Sequence, residues 1–387
     1  MNNPNPAIPL FDLNYGREEK EAVLRVLRSK WLTMGPETEA LENEFAGYFK
    51  VKHALAVSSC TTALHLANLA FGVKKGTNVI CPSFTFVATS NSVLYAGGIP
   101  VFADITSTDD WTISPNEIKK KINKNTRAII VMHYGGFSCK MDEIIEIAKR
   151  NNIPVLEDAA HAPGSFYKDR LLGSTGDISC FSFFSNKNIS TGEGGMICTN
   201  NDDYANYIKK IRSHGMTSAT WDRHHGHAYS YDVTDLGYNY RIDEIHAALA
   251  RCQLNKLKRG NERRRLAAIR YKNALSKIDK ITIPFADYSF SANYHIFPVL
   301  LDKSINRHSL MVYLRGKGIQ TSIHYPPVHK FSYYKAVMGD HILRNTDSVS
   351  PHELTLPMYA GITRAQIDYV ADALINFIQE KKLRRHR

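Results

Sequence analysis

FSFFSNKNISTGEGGMICT, residues 181–199, reads as a strand, a short polar loop and a second strand. The apolar run ends at Phe184, the polar piece presents Lys187, and Gly192, Gly194 and Gly195 turn the chain back into MICT (196–199). The same texture runs upstream. HALAV (53–57), TNVICP (77–82), IPVFAD (99–104), TRAIIVMH (126–133) and NNIPVLED (151–158) are short apolar runs like ISCFSFF (178–184). Between them, segments 61–71, 85–95, 114–123 and 140–150 have the apolar period of helices. The alternation predicts an α/β fold with a seven-stranded, mainly parallel sheet, and near-continuous apolar strands predict helices on both of its faces.

From about residue 241 the texture changes. RIDEIHAALARCQLNKLKRGNERRRLAAIRYKNAL (241–275) repeats apolar positions every three or four residues, which predicts one long helix. A mixed segment follows, with strands expected near 294–301 and 319–325, helices near 306–316 and 364–380, and a basic tail KKLRRHR. The chain therefore divides into a large α/β domain with an N-terminal arm, 1–250, and a smaller α+β domain, 251–387. The stretch 213–240 has no clear period, and irregular loops of that length are usually functional or contact a partner.

Composition narrows the function classes. The 387 residues are 43% hydrophobic and 22% charged, which does not describe a disordered chain. No run of about 18 apolar residues is found, so no membrane span is expected. The opening MNNPNPAIPLFDL does not read as a signal peptide, which makes a cytoplasmic protein the default. Six scattered cysteines without a C-x-x-C pair read as free thiols. The piece Asp222-Arg223-His224-His225-Gly226-His227 has no second ligand group at a recognisable spacing, so no metal is expected. A net charge of +12, from 49 Lys+Arg against 37 Asp+Glu, suits nucleic acid, an anionic membrane or small phosphate-bearing ligands. NKLKRGNERRR (255–265) and the tail motivate a nucleic-acid reading, but no binding module accompanies them, and a solvated helix face and a fraying tail explain both runs.

Four places can carry chemistry. Lys187, held at the edge of a buried sheet, would be partly desolvated, which frees its amine to attack a carbonyl; a lone loop lysine is more often merely solvated. Asp158 closes an apolar strand at the sheet edge where open α/β folds bind ligands, as the partner of a pyridinium nitrogen or as a helix cap. His161 follows three residues later, either beside such a ring or as a satisfied buried histidine. In VSSCTTALHL (57–66) a strand runs into a helix whose first amides, with Thr61 and Thr62, would cradle a phosphate or form an ordinary cap. Phe86, at the head of a helix, would stack on an aromatic ring or pack in the core.

The order of these places along the chain carries more weight than any one of them. The segments WLTMGP (31–36), VSSCTTALHL (57–66), PSFTFVATSN (82–91), EDAAHAPGS (157–165), FSFFSNKNISTGEGG (181–195), LGYNYRIDEIHAAL (236–249) and LTLPMYAGIT (354–363) together resemble the DegT/DnrJ/EryC1/StrS family of pyridoxal-phosphate sugar aminotransferases. The resemblance implies a fold type I transferase, with Lys187 carrying the cofactor and Asp158 facing its pyridine nitrogen. It puts His161 beside the ring hydroxyl, Phe86 on the ring face, and Thr61, Thr62 and Ser182 on the phosphate. Either Asn239 or Arg241, in GYNYR, would reach a partner subunit's phosphate in a homodimer. Thr33, His324, Tyr325 and His329 match regions bordering the sugar. The implied reaction transfers an amino group from glutamate to a nucleotide-linked keto sugar, a 4-keto-6-deoxyhexose, for lipopolysaccharide, another surface glycan or a glycosylated metabolite. Another ketone, such as a 3-keto sugar or a cyclitol, and sugar dehydration are the alternatives; family dehydratases carry His where this chain has Lys187, which favours transamination.

Overall fold

Each of the seven apolar runs forms a strand. They are β1 (His53–Val57), β2 (Asn78–Pro82), β3 (Ile99–Ala103), β4 (Thr126–Met132), β5 (Val155–Asp158), β8 (Ile178–Ser182) and β9 (Gly195–Thr199), with a small hairpin of β6 (Phe166–Tyr167) and β7 (Arg170–Leu171) before β8. In the computed structural model, which describes residues 7–217, 230–276 and 278–385, the seven form one sheet in the order β1-β9-β8-β5-β4-β2-β3. The neighbours from β3 to β8 are parallel. β9 lies antiparallel between β8 and β1, because the loop 183–194 is too short to hold a crossover helix.

Helices cover both faces. Two of them, α1 (Arg17–Ser29) and α2 (Pro36–Phe49), lie ahead of the region where the apolar runs set the pattern. On one face Phe45 and Phe49 of α2 pack against Phe181 and Phe183, with α6 (Met141–Arg150) contributing Ile144. On the other, α3 (Cys60–Ala70) and α7 (Asp202–Ile211) bury Leu64, Ile208 and Ile211 against Val79, Ile130 and Ile197. α4 (Ala88–Tyr95) and α5 (Pro115–Lys121) complete the crossovers.

The long helix α8 (Glu244–Leu275) starts on Asp243, whose side chain accepts from the His246 amide. Its first half sends Ala247, Ala250, Leu254 and Leu257 into the sheet core. Its second half sends Ala267, Ala268, Tyr271 and Leu275 into a separate core with β10 (Ile281–Thr282), β11 (Phe297–Leu301), β12 (Glu353–Leu356), α9 (Arg307–Gly316) and α12 (Arg364–Arg385). The boundary read at residues 250/251 falls inside this helix. α10 (Ser332–Met338) and α11 (Arg344–Val349) lie between α9 and β12. The start of the chain crosses to the smaller core: Ile8 pairs with Ile319, and the Met358 amide donates to Leu10 O at 3.0 Å.

The strand expected over 319–325 is reduced to two isolated bridges, Ile319 to Ile8 and Ser322 to Thr355. The next amide, His324 N, donates instead to the Glu353 carboxylate at 3.0 Å, and Pro326 has no N–H to continue a ladder. Among the described residues, no helix is long and apolar enough to cross a membrane, and no group of three or more His, Cys, Asp and Glu side chains is set to hold a metal ion. The His-rich piece 222–227 lies outside the described residues.

Candidate active site

Asp158 ends β5 at the C-terminal edge of the parallel strands. Thr89 Oγ donates to its Oδ2 at 2.7 Å and the Ala160 amide to its Oδ1 at 3.2 Å. Since the Thr89 proton is committed, the hydroxyl of Thr85, 2.8 Å away, donates to Thr89. The Asp158 side chain is buried, yet among the described residues no Lys, Arg or His nitrogen lies within ion-pair distance of it. Burial raises its carboxyl above the ordinary carboxylate range, opposed by Thr89, the Ala160 amide and the Lys187 charge.

Lys187 sits in the loop between β8 and β9. Its amide donates to Phe184 O at 2.8 Å, and the Thr191 amide closes the loop on Phe183 O at 2.8 Å. Two glycines permit that path. At Gly194 (φ +147°) a Cβ would lie 2.9 Å from Thr191 Oγ, and at Gly195 it would lie 2.6 Å from the Ser59 carbonyl carbon, where β9 passes the start of α3. Burial pulls the Lys187 amine down to about 8 from an ordinary 10.5, with the Asp158 carboxylate working against the fall. Nζ is 3.4 Å from Nε2 of His295. The other ring nitrogen of His295 faces Asn188 Oδ1 at 3.1 Å, so Nδ1 carries the proton and Nε2 accepts from the amine. Burial, with His161 and Lys187 beside it, keeps His295 neutral.

His161 lies 4.3 Å from His295, centroid to centroid. Its Nδ1 accepts from the Gly135 amide at 3.3 Å, so in the neutral ring Nε2–H points at Tyr325 Oη, 2.8 Å away. Burial holds His161 well below the ordinary histidine range. The Tyr325 hydroxyl proton is thereby free to turn into the site. The Tyr325 ring lies 5.8 Å from that of Phe86, which is 55% exposed, a large aromatic face at the mouth of the site. His324 precedes Tyr325 through a cis peptide bond and is held neutral by burial.

The start of α3 meets this group from the side. Burial pushes the Cys60 thiol well up, with Asp158 adding to the rise and Lys187 opposing it. Thr62 is bound into a capping box: its Oγ donates to Ser59 O at 2.7 Å and accepts from the Ser59 amide at 3.1 Å. The first-turn amides of Cys60 and Thr61 are those a helix leaves without intrahelical acceptors. Ser182 is buried at the end of β8, opposite Gly195.

Other candidates lie elsewhere in the single chain. Thr33 and Arg241 line a cavity of about 830 Å³ with Glu42, Lys209, Arg212 and Ser213. Asn239 is exposed and bridges Ser213, while Tyr240 O accepts from the Ser58 amide just ahead of α3. His329 is buried, with Nδ1 2.7 Å from Ser83 Oγ and Nε2 3.0 Å from Asp347 Oδ1, so both ring nitrogens are engaged. Sequence reasoning passed over Thr89, Asn186 and His295. Thr89 stands inside PSFTFVATSN, one helical turn after Phe86, and Asn186 is adjacent to Lys187. His295 comes from a segment that nothing in the local sequence ties to the sheet edge.

These residues fit pyridoxal phosphate. A buried carboxylate without a cationic partner suits a protonated pyridine nitrogen, a depressed lysine amine suits a carbonyl carbon, and a helix start with free amides suits a phosphate. Comparison with known proteins points the same way. Residues 14–375 match the DegT/DnrJ/EryC1/StrS aminotransferase family. The spore coat polysaccharide biosynthesis protein SpsC of Bacillus subtilis is 35% identical over 371 residues, 94% of this chain and 95% of that protein. Helicobacter pylori PseC, an aminotransferase involved in the biosynthesis of pseudoaminic acid, superposes with a TM-score of 0.90 at 28% identity, over 97% of this chain and 100% of that one. S. venezuelae DesV, solved in complex with a ketimine intermediate, gives 0.88 at 32% identity over 96% and 98%.

Proposed function

The chain belongs to the DegT/DnrJ/EryC1/StrS aminotransferase family and is a pyridoxal-phosphate-dependent transaminase, and on that premise we propose that it aminates a nucleotide-linked keto sugar, a 4-keto-6-deoxyhexose, with glutamate as amino donor. The product is an amino sugar for a surface glycan or a glycosylated metabolite. The observation that carries the reading is one site that holds Asp158, buried with no ion-pair partner among the described residues, and Lys187, whose amine is drawn down to about 8. SpsC and PseC, one named for a polysaccharide and the other for pseudoaminic acid, support a sugar as acceptor.

Bound pyridoxal phosphate supplies an electron-accepting ring that holds the amino group between donor and acceptor. Asp158 keeps the ring nitrogen protonated, and Thr89 and the Ala160 amide hold that carboxylate in place. The Lys187 amine, partly neutral near pH 8, would carry a proton between the nitrogen-bearing carbon of the substrate and C4′ of the cofactor, in one direction with the donor and in the other with the acceptor. Its partner His295 accepts without competing for a proton, because its own is fixed on Nδ1. Phe86 would cover one face of the ring, and His161, with its Nε2 on Tyr325 Oη, would stand beside the ring hydroxyl. Thr61, Ser182 and the first amides of α3 would take the phosphate, while Thr62 spends its hydroxyl on Ser59 and holds the helix start in shape. Asn239, or Arg241 beside it, completes that phosphate site from the second subunit of a homodimer, and Thr33, His324 and Tyr325 border the sugar.

The test is spectroscopic and then chemical. Purified protein with pyridoxal phosphate should show a visible absorbance band that glutamate bleaches, and a panel of nucleotide-linked keto sugars should restore it with an amino sugar as product. Product mass and stereochemistry separate transamination at C4 from reaction at C3 and from dehydration. No band, together with a Lys187→Ala variant that behaves as wild type, would overturn the reading.

A further inference from the structure

Glu353, at the start of β12, is fully buried. Its Oε2 accepts from the His324 amide at 3.0 Å, and its Oε1 lies 2.6 Å from Thr355 Oγ. Thr355 Oγ in turn lies 2.9 Å from Nδ1 of His324. A hydroxyl donates one proton, so these three side chains cannot choose their hydrogen bonds independently. When the carboxylate is ionised it can only accept. Thr355 then donates to Glu353 and accepts from Nδ1–H, which leaves Nε2 of His324 a bare acceptor. When Glu353 carries a proton on Oε1, it donates to Thr355. Thr355 then donates to Nδ1, and neutral His324 presents Nε2–H.

His324 lines a small cavity with Phe11, Asn186 and His295, on the side of the site that holds Lys187. Of the residues that line it, Asn186 has its Oδ1 buried with no hydrogen-bond partner among the described residues. A neutral hydroxyl is the ligand chemistry that would satisfy such an acceptor.

We propose that Glu353, acting through Thr355, is a positioning residue that sets whether His324 accepts or donates toward the substrate, and that the ionised form receives sugar hydroxyls on His324 Nε2 and Asn186 Oδ1. The assignment rests on the reading that the sugar binds beside His324. The proton balance closes. A proton taken up at Nε2 is matched by Nδ1 passing its proton to Thr355, and by Thr355 passing its own to Glu353, which stores it.

The groups facing Glu353 allow both states. Arg307 of α9 bonds the backbone carbonyls of Ser350 and Glu353 rather than the carboxylate, and the phenols of Tyr134 and Tyr325 add no cation. Burial pushes the Glu353 carboxyl up to about 7, with Thr355, the His324 amide and Arg307 opposing. His324 itself stays neutral, because burial, with the Lys187 charge adding to it, lowers it to about 3.

The test follows the His324 tautomer in the holoenzyme by NMR of histidine-labelled protein, its signal assigned by its loss in His324→Asn. The wild type should pass from the Nδ1–H to the Nε2–H form as pH falls through about 7. In Glu353→Gln the amide oxygen keeps the His324 amide and the NH₂ donates to Thr355, so Nε2–H should persist at every pH. Thr355→Ser should keep the transition and Thr355→Val should lose it. Above pH 7, Glu353→Gln should raise the KM for the keto sugar several-fold while leaving that for glutamate in place. A tautomer unmoved by pH and by all three variants overturns the proposal, as does an equal effect of Glu353→Gln on both substrates. Absence of sugar amination by the wild type would defeat the functional reading while leaving the tautomer result standing.

Discussion

The amine of Lys187 and Nε2 of His295 meet at 3.4 Å although 108 positions separate them in the chain. His295 is fixed as an acceptor, and burial depresses the amine, so Lys187 in cofactor-free protein should react as an unusually acidic lysine. Acylation of Lys187, followed by peptide mass mapping, should show a midpoint near pH 8 rather than 10.5. The Asp158 carboxylate opposes the fall, so Asp158→Asn should move the midpoint lower still. A midpoint at the ordinary lysine value would remove the argument for an activated amine.

Asp158 itself should trade stability for function. Its carboxyl is raised in the folded protein, so its contribution to stability is full below the unfolded value and is lost as pH rises through the folded one. In cofactor-free protein at pH 8, Asp158→Asn should therefore raise the thermal midpoint, by about 1–3 °C, an advantage that shrinks toward pH 4. In the holoenzyme the same variant should slow both half-reactions by on the order of 10²–10⁴. Lower stability with intact half-reactions would mark Asp158 as purely structural.

Thr61 and Thr62 should separate cofactor binding from helix capping. Thr62 ties its hydroxyl to Ser59, so Thr62→Ala should cost about 1 kcal/mol of stability in chemical denaturation. Thr61 is outside that box, and Thr61→Ala should weaken cofactor affinity while leaving the denaturation midpoint in place. Equal losses of stability in both variants would argue against a phosphate role for Thr61.

Asn239 is exposed in the single chain, which suits a reach to a second subunit. Mixing Asn239→Ala protein with Lys187→Ala protein should restore about one working site per heterodimer. An Asn239→Ala homodimer that binds cofactor normally, with no rescue on mixing, assigns the contact elsewhere, with Arg241 as the next variant to make.

The sheet was legible because each strand is a short apolar run bounded by turn residues, and β9 could be placed after β8 from its glycines. The helices α1 and α2 were not. α1 buries Glu19, Ala22 and Val26, and Glu19 is held there by Lys256 of α8 at 2.7 Å, a pairing that no local pattern announces. The strand over 319–325 failed for a related reason, since the Glu353 side chain takes the amide that a ladder needed. In the site, Asp158 stood out because it ends a strand, and Lys187 and Phe86 because each lies in a short segment that follows an apolar strand. His295, Asn186 and Glu353 did not, because their meaning depends on the smaller unit folding back over the sheet edge. His329 matched a segment near the sugar, but its ring nitrogens are spent on Ser83 and Asp347.

The helix Glu244–Leu275 has 32 residues, a rod of roughly 48 Å at 1.5 Å per residue, and it supplies side chains to two separate cores. Neither half of the protein can therefore be lifted out as an independent cassette. A chimaera joined near residue 250 would put one parent's sheet core and the other's antiparallel core on a single rod, so both would depend on its register. Exchanges meant to change the sugar should leave this rod whole and graft the 319–329 and 353–356 segments together, since His324, Thr355 and Glu353 share one set of protons.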